Sequence, residues 1–340
     1  MELNISESRS RSIRCIVKLG GAAITCKNEL EKIHDENLEV VACQLRQAML
    51  EGSAPSKVIG MDWSKRPGSS EISCDVDDIG DQKSSEFSKF VVVHGAGSFG
   101  HFQASKSGVH RGGLEKPIVK AGFVATRISV TNLNLEIVRA LAREGIPTIG
   151  MSPFSCGWST SKRDVASADL ATVAKTIDSG FVPVLHGDAV LDNILGCTIL
   201  SGDVIIRHLA DHLKPEYVVF LTDVLGVYDR PPSPSEPDAV LLKEIAVGED
   251  GSWKVVNPLL EHTDKKVDYS VAAHDTTGGM ETKISEAAMI AKLGVDVYIV
   301  KAATTHSQRA LNGDLRDSVP EDWLVFLLVY QTLCKEYNIV

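Results

Sequence analysis

Two kinds of hydrophobic pattern alternate along the chain. The first is a short apolar run, rich in β-branched residues and closed by a turn. Examples are CIVKLGG from Cys15, FVVVHGAGSFGH from Phe90, IPTIGMSP from Ile146, FVPVLHGDAV from Phe181, YVVFLTDVLGVYD from Tyr217 and VDVYIVKA from Val295. The second is an amphipathic stretch of helical period: LEKIHDENLEVVACQLRQAML from Leu30, TNLNLEIVRALAREG from Thr131, GDVIIRHLADHL from Gly202 and METKISEAAMIAKLG from Met280. Runs that are apolar at nearly every position suit strands buried on both faces, as in a parallel sheet. Strands alternating with helices of roughly 10–15 residues predict an α/β fold, an open, mostly parallel sheet with helices on both faces. No internal repeat is evident.

Two segments interrupt the alternation. Residues 51–88 are polar, rich in Ser, Gly and Asp, and show no clear period, so they read as a surface loop insertion. RPPSPSEP, residues 230–237, reads as a proline-rich turn or short linker.

Composition narrows the function classes. The chain has 340 residues, 44% of them hydrophobic, which is ample for one large domain or two lobes. A net charge of −10 argues against non-specific nucleic-acid binding and against a polybasic membrane dock. The seven cysteines are scattered, odd in number and without CxxC spacing, which suits free thiols in a reducing compartment. The N-terminal MELNISESRSRSIR lacks an apolar core of the signal-peptide kind. The longest apolar run, LVFLLVY, is far short of the roughly 20 residues that span a bilayer. The expectation is a cytoplasmic protein with no membrane partner.

The chemistry lies in the glycine turns. KLGGAAIT, HGAGSFGH, HGDA, SGD, TDVLG and DTTGGMETK each fall at a predicted strand end or helix start. At the carboxyl ends of parallel strands, such loops bring backbone N–H groups close to a ligand, and a helix N-terminus favours an anion. One such loop is explained equally well as a tight turn; six in succession are not. Lys18 stands inside an apolar strand, where an ammonium is costly without an anionic partner. The plainer reading is a lysine snorkelling from a strand end. Lys27 and Lys283 flank other glycine turns, with a solvated surface lysine as the rival reading. Three lysines among converging N–H groups describe a polyphosphate site, the requirement of phosphoryl transfer.

At this point the motifs VKLGGAAIT, VVHGAGSFGH, SGD, LTDVLGVY and TTGGMETK resemble, in order and spacing, the amino acid kinase superfamily. Within it they are similar to the isopentenyl phosphate kinases, the plant members included. The resemblance runs from about residue 13 to about 320. It implies an amino acid kinase-like αβα sandwich, one domain over 13–330. An acceptor-binding lobe would cover about 13–185, carrying the 51–88 insertion, and a nucleotide-binding lobe about 186–320.

The resemblance also implies roles. Lys18, Leu19, Gly20, Gly21 and Ala22 match the loop along the ATP phosphates, with Lys18 bridging donor and acceptor. Lys27 matches the lysine that stabilises the transferred phosphoryl group. Ala96, Gly100, His101 and Gly202 match acceptor-binding positions, and His101 distinguishes a phosphorylated acceptor from a carboxylate. Gly97, Asp223, Gly279 and Lys283 match nucleotide contacts. Ala22 and Ala96 stand where Ser and Gly are frequent in the family. Lys18, Lys27, His101 and Lys283 form the implied catalytic set. The implied co-substrate is ATP with Mg²⁺ held by ATP rather than directly by protein, although Asp203 and Asp223 are candidate indirect ligands. A helix-capping role explains Asp203 equally well. His94 reads as structural. The implied partners are an isoprenoid phosphate and a second copy of the chain, joined through the acceptor lobe.

The acceptor's tail requires an apolar pocket, for which Phe123, Val130 and Ile137 are candidates; the same spacing also suits core. The C-terminal segment 324–340 departs from the family, whose members end in a short strand carrying a Gly-Thr pair after the position of VPEDW. Here LVFLLVYQTLCKEYNIV follows, which either replaces the final edge strand or packs poorly. The rival functions are a kinase of the same superfamily acting on a nucleoside monophosphate, glutamate or a phosphonate, and a nucleotide-binding regulator without turnover.

Overall fold

Buried apolar strands need helices on both faces, and the chain supplies them. A computed structural model of the protein describes residues 12–50, 87–228, 240–248, 253–257, 279–314 and 326–329. Its strands are β1 (Cys15–Leu19), β2 (Phe90–His94), β3 (Thr148–Met151), β4 (Ser159–Ser161), β5 (Asp164–Ser167), β6 (Val182–His186), β7 (Asp188–Asp192), β8 (Gly196–Leu200), β9 (Tyr217–Thr222), β10 (Val227–Tyr228), β11 (Leu241–Leu242), β12 (Glu244–Val247), β13 (Trp253–Asn257), β14 (Asp296–Lys301) and β15 (Phe326–Val329). Its helices are α1 (Gly21–Ile24), α2 (Asp35–Met49), α3 (Gly97–Ser107), α4 (Pro117–Arg143), α5 (Leu170–Asp178), α6 (Gly202–Leu213), α7 (Gly279–Ala291) and α8 (Thr305–Asn312).

Nine strands form one sheet in the order β13-β12-β15-β14-β9-β1-β2-β6-β3. Only the β12–β13 and β14–β15 pairings within it are antiparallel. Strand alternation sorts its side chains into two cores. Cys15, Val17 and Leu19 of β1, Phe90 and Val92 of β2, and Val219 and Leu221 of β9 pack with Leu45 of α2, Leu133 and Ile137 of α4 and Leu311 of α8. Ile16, Val91, Val93, Val218 and Phe220 face the other way, against Ile177 of α5, Ile205 and Leu209 of α6 and Ile284 of α7. Each such fully buried side chain contributes about 1.5–3 kcal/mol. Lys18 shares the face of Ile16, so the pleat alone aims it at α6 and α7.

β1 lies inside the sheet, between β9 and β2. From it the chain builds outward through β2, β6 and β3 on one side and through β9 and β14 on the other. Ligands of open α/β sheets bind outside the carboxyl ends of strands where the strand order reverses in this way. A second sheet, β5-β4-β7-β8, stands beyond β6. It corrects the reading of FVPVLHGDAV as one strand: the run divides at Gly187 into β6 and β7, which belong to different sheets.

The insertion lies outside the described residues except for Phe87 and Ser88. An antiparallel bridge from Leu50 to Phe87 brings its two ends together, so it leaves and rejoins the fold at one point. RPPSPSEP also lies outside the described residues. Within the C-terminal segment, β15 pairs parallel with β12 and antiparallel with β14. It is therefore an interior strand of the sheet rather than an edge. The rest of 324–340 lies outside the described residues.

Candidate active site

Two glycine turns meet at the head of β1 and β2. An ideal Cβ on Gly21 would stand 2.4 Å from the Gly97 nitrogen and 2.6 Å from its Cα, and one on Gly95 would stand 2.8 Å from the Gly21 nitrogen. The loops therefore touch backbone to backbone. Gly97 adopts φ +52°, with Thr25 closing over it: the Thr25 hydroxyl donates to the Gly21 carbonyl at 2.8 Å and accepts from Ser98 N at 3.0 Å. Gly100 is pressed against Ala96 and Val130. Close loop and helix packing thus explains the glycines of HGAGSFGH as directly as the expected wrapping of a phosphate does. Ala96 is the N-cap of α3, and His101 lies half-buried one turn in. Leu19, Gly20 and Ala22 lie beside the same contact, and the Gly20 N–H donates to the Leu221 carbonyl at 2.8 Å.

The buried lysine has the partner that its setting demands. Ser201 caps α6, its hydroxyl accepting from Asp203 N at 3.2 Å. Gly202 presses so closely on Lys18 Cε and the His94 carbonyl that a Cβ would stand 2.9 and 3.1 Å from them. Asp203 then meets Lys18 Nζ at 2.6 Å and Lys283 Nζ at 3.8 Å. All three side chains are largely buried, Lys18 at 5% and Lys283 at 13% exposure. Burial alone would raise the Asp203 carboxyl, but Lys18 and Lys283 outweigh it and hold the group below the usual carboxylate range. Asp203 is thus an ion-pair centre and not an N-cap. Lys27 pairs with Asp223 at 2.6 Å in a more open position, 56% and 32% exposed. Gly279 is the first residue of α7, which carries Lys283.

His94 is held neutral. Burial lowers it first, then the neighbouring His186 and Lys18, to about 3. Asn134 Nδ2 donates to His94 Nε2 at 3.1 Å, so its Nδ1 donates to the Gly95 carbonyl at 3.0 Å. Its ring stacks on His186, centroids 5.4 Å apart. The pair braces β2 against β6 and α4 beneath the second glycine turn, as the structural reading of His94 expected.

One cluster escaped sequence reasoning. The buried Asp188 accepts from the Ser152 hydroxyl at 2.8 Å and from Arg127 Nε at 3.4 Å, and Arg127 lies 4.1 Å from the centroid of the Phe154 ring. Phe154 meets Phe123 edge to face at 5.8 Å. An acid directly after an apolar strand, in HGDA, was the available signal. Of the candidate pocket residues, Phe123 belongs to this cluster and Val130 lies against Gly100, whereas Ile137 is core.

The arrangement can hold polyphosphate: buried lysines, an acid that orients them, and two glycine loops converge at a sheet switch point. Comparison with known proteins decides what kind of site it is. The chain is 99% identical over 324 residues to isopentenyl phosphate kinase of Arabidopsis thaliana, covering 95% of this chain and 98% of that one. The model of the amino acid kinase family matches residues 69–301. The chain belongs to the amino acid kinase family, among its isopentenyl phosphate kinases. It is a kinase. Isopentenyl phosphate kinase of Methanothermobacter thermautotrophicus is 33% identical over 309 residues, with 88% of this chain and 95% of that one covered. A solved isopentenyl phosphate kinase structure superposes with a TM-score of 0.63 at 30% identity, covering 88% of this chain and 96% of that one. A carbamate kinase of Giardia, at 15% identity and TM-score 0.51, shares the fold. Among the described residues of this family member, no helix is long and apolar enough to cross a membrane.

Proposed function

We propose that this kinase transfers the γ-phosphoryl group of ATP to isopentenyl phosphate, and to dimethylallyl phosphate, giving the diphosphate and ADP for isoprenoid biosynthesis in the cytoplasm. The observation that carries the reading is the direct contact of the two glycine loops above the buried Lys18–Asp203–Lys283 cluster. It lets a donor phosphate and an acceptor phosphate lie side by side. The lobes divide near residue 185, but each site draws on both: the acceptor would be held by Ala96, Gly100 and His101 with Gly202 from beyond the division, and the nucleotide by Asp223, Gly279 and Lys283 with Leu19, Gly20, Gly21, Ala22 and Gly97 from before it.

The acceptor is a phosphate monoester with a second pKa of about 6, so near neutrality it is already a nucleophile and needs no general base. One of its oxygens attacks the γ-phosphorus while the bond to the bridging oxygen of ADP breaks in line. The obstacle is repulsion between anions. Lys18, between the loops, Lys27 and Lys283 offset that charge, and His101 donates a hydrogen bond to the acceptor phosphate. Asp203 orients Lys18 and Lys283. Mg²⁺ bound to ATP would supply further charge neutralisation, and the Asp203 and Asp223 carboxylates are the candidate groups to orient it indirectly.

A homodimer follows from the acceptor lobe. Val124, Ile128 and Leu135 lie along one side of α4, 54%, 59% and 47% exposed. An apolar row on a 27-residue helix suits a second copy of the same helix.

An ADP-release assay with Mg·ATP tests the reading, run in parallel with isopentenyl phosphate, dimethylallyl phosphate, UMP and glutamate. Turnover is expected only on the isoprenoid phosphates, with kcat/KM about 100-fold lower in His101→Ala, the usual loss for one charge-stabilising donor. Turnover on UMP or glutamate overturns the acceptor. ATP binding without turnover on any substrate favours a regulator.

A further inference from the structure

Asp203 and Arg207 are one turn apart on α6, and Lys283 and Glu286 are one turn apart on α7. They meet as two rungs. Asp203 takes Lys283 at 3.8 Å, and Arg207 Nε donates to Glu286 Oε2 in a close ion pair, 31% and 16% exposed. The rungs have opposite charge order. Sliding α7 one turn along α6 in one direction sets Lys283 against Arg207; sliding it the other way sets Glu286 against Asp203. Either slip brings like charges together in a partly buried seam, whereas the observed register satisfies both rungs.

We propose that Arg207 and Glu286 are positioning residues: a register lock that fixes α7 so that Lys283 reaches Asp203 and the phosphates. Neither touches the reacting atoms. The helices are otherwise joined by smooth apolar side chains, Ile205 and Leu209 against Ile284, Ala287 and Ala288. Apolar burial is non-directional, so it is the two ion pairs that distinguish this register by charge. Lys283 has a second neighbour in the Phe220 ring, 6.0 Å from its centroid, too far and too undirected to set the register. Burial pushes the Glu286 carboxyl up, the Asp203 and Asp164 carboxylates push it the same way, and Arg207, bonded to it directly, is the cation that opposes them.

The proposal rests on the reading of Lys283 as a phosphate-binding lysine, and the two are tested together but separably. Steady-state ADP release is measured with Mg·ATP and isopentenyl phosphate for the full chain and for Arg207→Gln, Glu286→Ala, Glu286→Gln, Lys283→Met and the double variant Arg207→Gln/Lys283→Met. Arg207→Gln and Glu286→Ala are expected to lower kcat about tenfold, the effect of a misplaced charged group, with KM for isopentenyl phosphate unchanged. Glu286→Gln, which still accepts from Arg207, should retain most of the activity. In the Lys283→Met background, Arg207→Gln should cause no further loss, because the group it positions is gone. Losses that multiply, or wild-type kcat in Arg207→Gln, overturn the lock. Wild-type kcat in Lys283→Met overturns the reading of Lys283 itself. Thermal melting is run alongside, and if Glu286→Ala fails to fold, Arg207→Lys reads the same coupling with the charge retained.

Discussion

Gly21→Ala is the most direct probe of the contact between the two glycine loops. The added methyl would stand 2.4 Å from the Gly97 nitrogen and 2.6 Å from its Cα. Both are backbone atoms, so no side-chain rotation relieves the clash. Ordinary contact begins near 3.4 Å, so the loops must part by about 1 Å. Overpacking of this kind costs about 1–3 kcal/mol. For a chain of this size each kcal/mol lowers Tm by about 2 °C, which predicts a fall of about 2–6 °C. The catalytic cost is larger, since about 1 Å of misplacement between reacting groups lowers the rate about 100-fold. Gly108→Ala is the control: unlike Gly21 its φ is unfavourable, at +78°, but nothing lies within 4 Å of the added Cβ. It should lose stability without losing rate. Calorimetry and the ADP-release assay read the two effects. A Gly21→Ala enzyme with kcat within threefold of wild type and an unchanged Tm would refute the idea that this contact sets the spacing of the substrates.

Two further outcomes are expected. Burial lowers both His94 and His186, so the folded chain stays neutral there while the unfolded chain takes up protons near pH 6.5. Stability should therefore fall as pH drops below about 6.5, by up to about 1.4 kcal/mol per pH unit for His94, continuing toward about 3, with His186 acting in the same direction. Urea unfolding across that range measures the slope, and His186→Gln should make it shallower; an unchanged slope would exclude the pair as the cause. Ile128→Glu puts a charge in the middle of the exposed row of α4, and light scattering should show monomer in place of dimer; persistence of the dimer would place the interface elsewhere.

The central sheet was legible because its strands are apolar at nearly every residue, and β1, β2, β9 and β14 fall where the runs predicted. The second sheet was not. Its strands β4 and β5, in STSKRDVAS, are short and polar and carry no period. FVPVLHGDAV is apolar straight through a sheet change, and what divides it is tertiary: the Gly187 N–H donates to the His94 carbonyl at 2.9 Å, drawing the chain toward β2. Lys18 was legible as a lysine in need of an anion, with snorkelling from the strand end as the alternative; its burial and its 2.6 Å pairing with Asp203 decide between them. The Asp188 cluster was hidden, because Arg127, Ser152 and Asp188 are separated by 25 to 61 residues and meet only through α4 and the second sheet. The C-terminal run was expected either to replace the final edge strand or to pack poorly; β15 is instead an interior strand, and that place depends on partners, β12 and β14, that local pattern does not name.

The contact between Gly21 and Gly97 also bears on how such a protein can diverge. A joint made of main-chain atoms offers selection no side chain to trim or enlarge by degrees; any substitution at Gly21 adds bulk where there is no room. The meeting point of the two loops is therefore inherited whole or lost. Gradual change elsewhere in the fold must come instead from side chains that are not packed against this joint, where one residue can replace another without moving the frame. A lineage built on this scaffold can vary in those side chains while the geometry of approach stays the same.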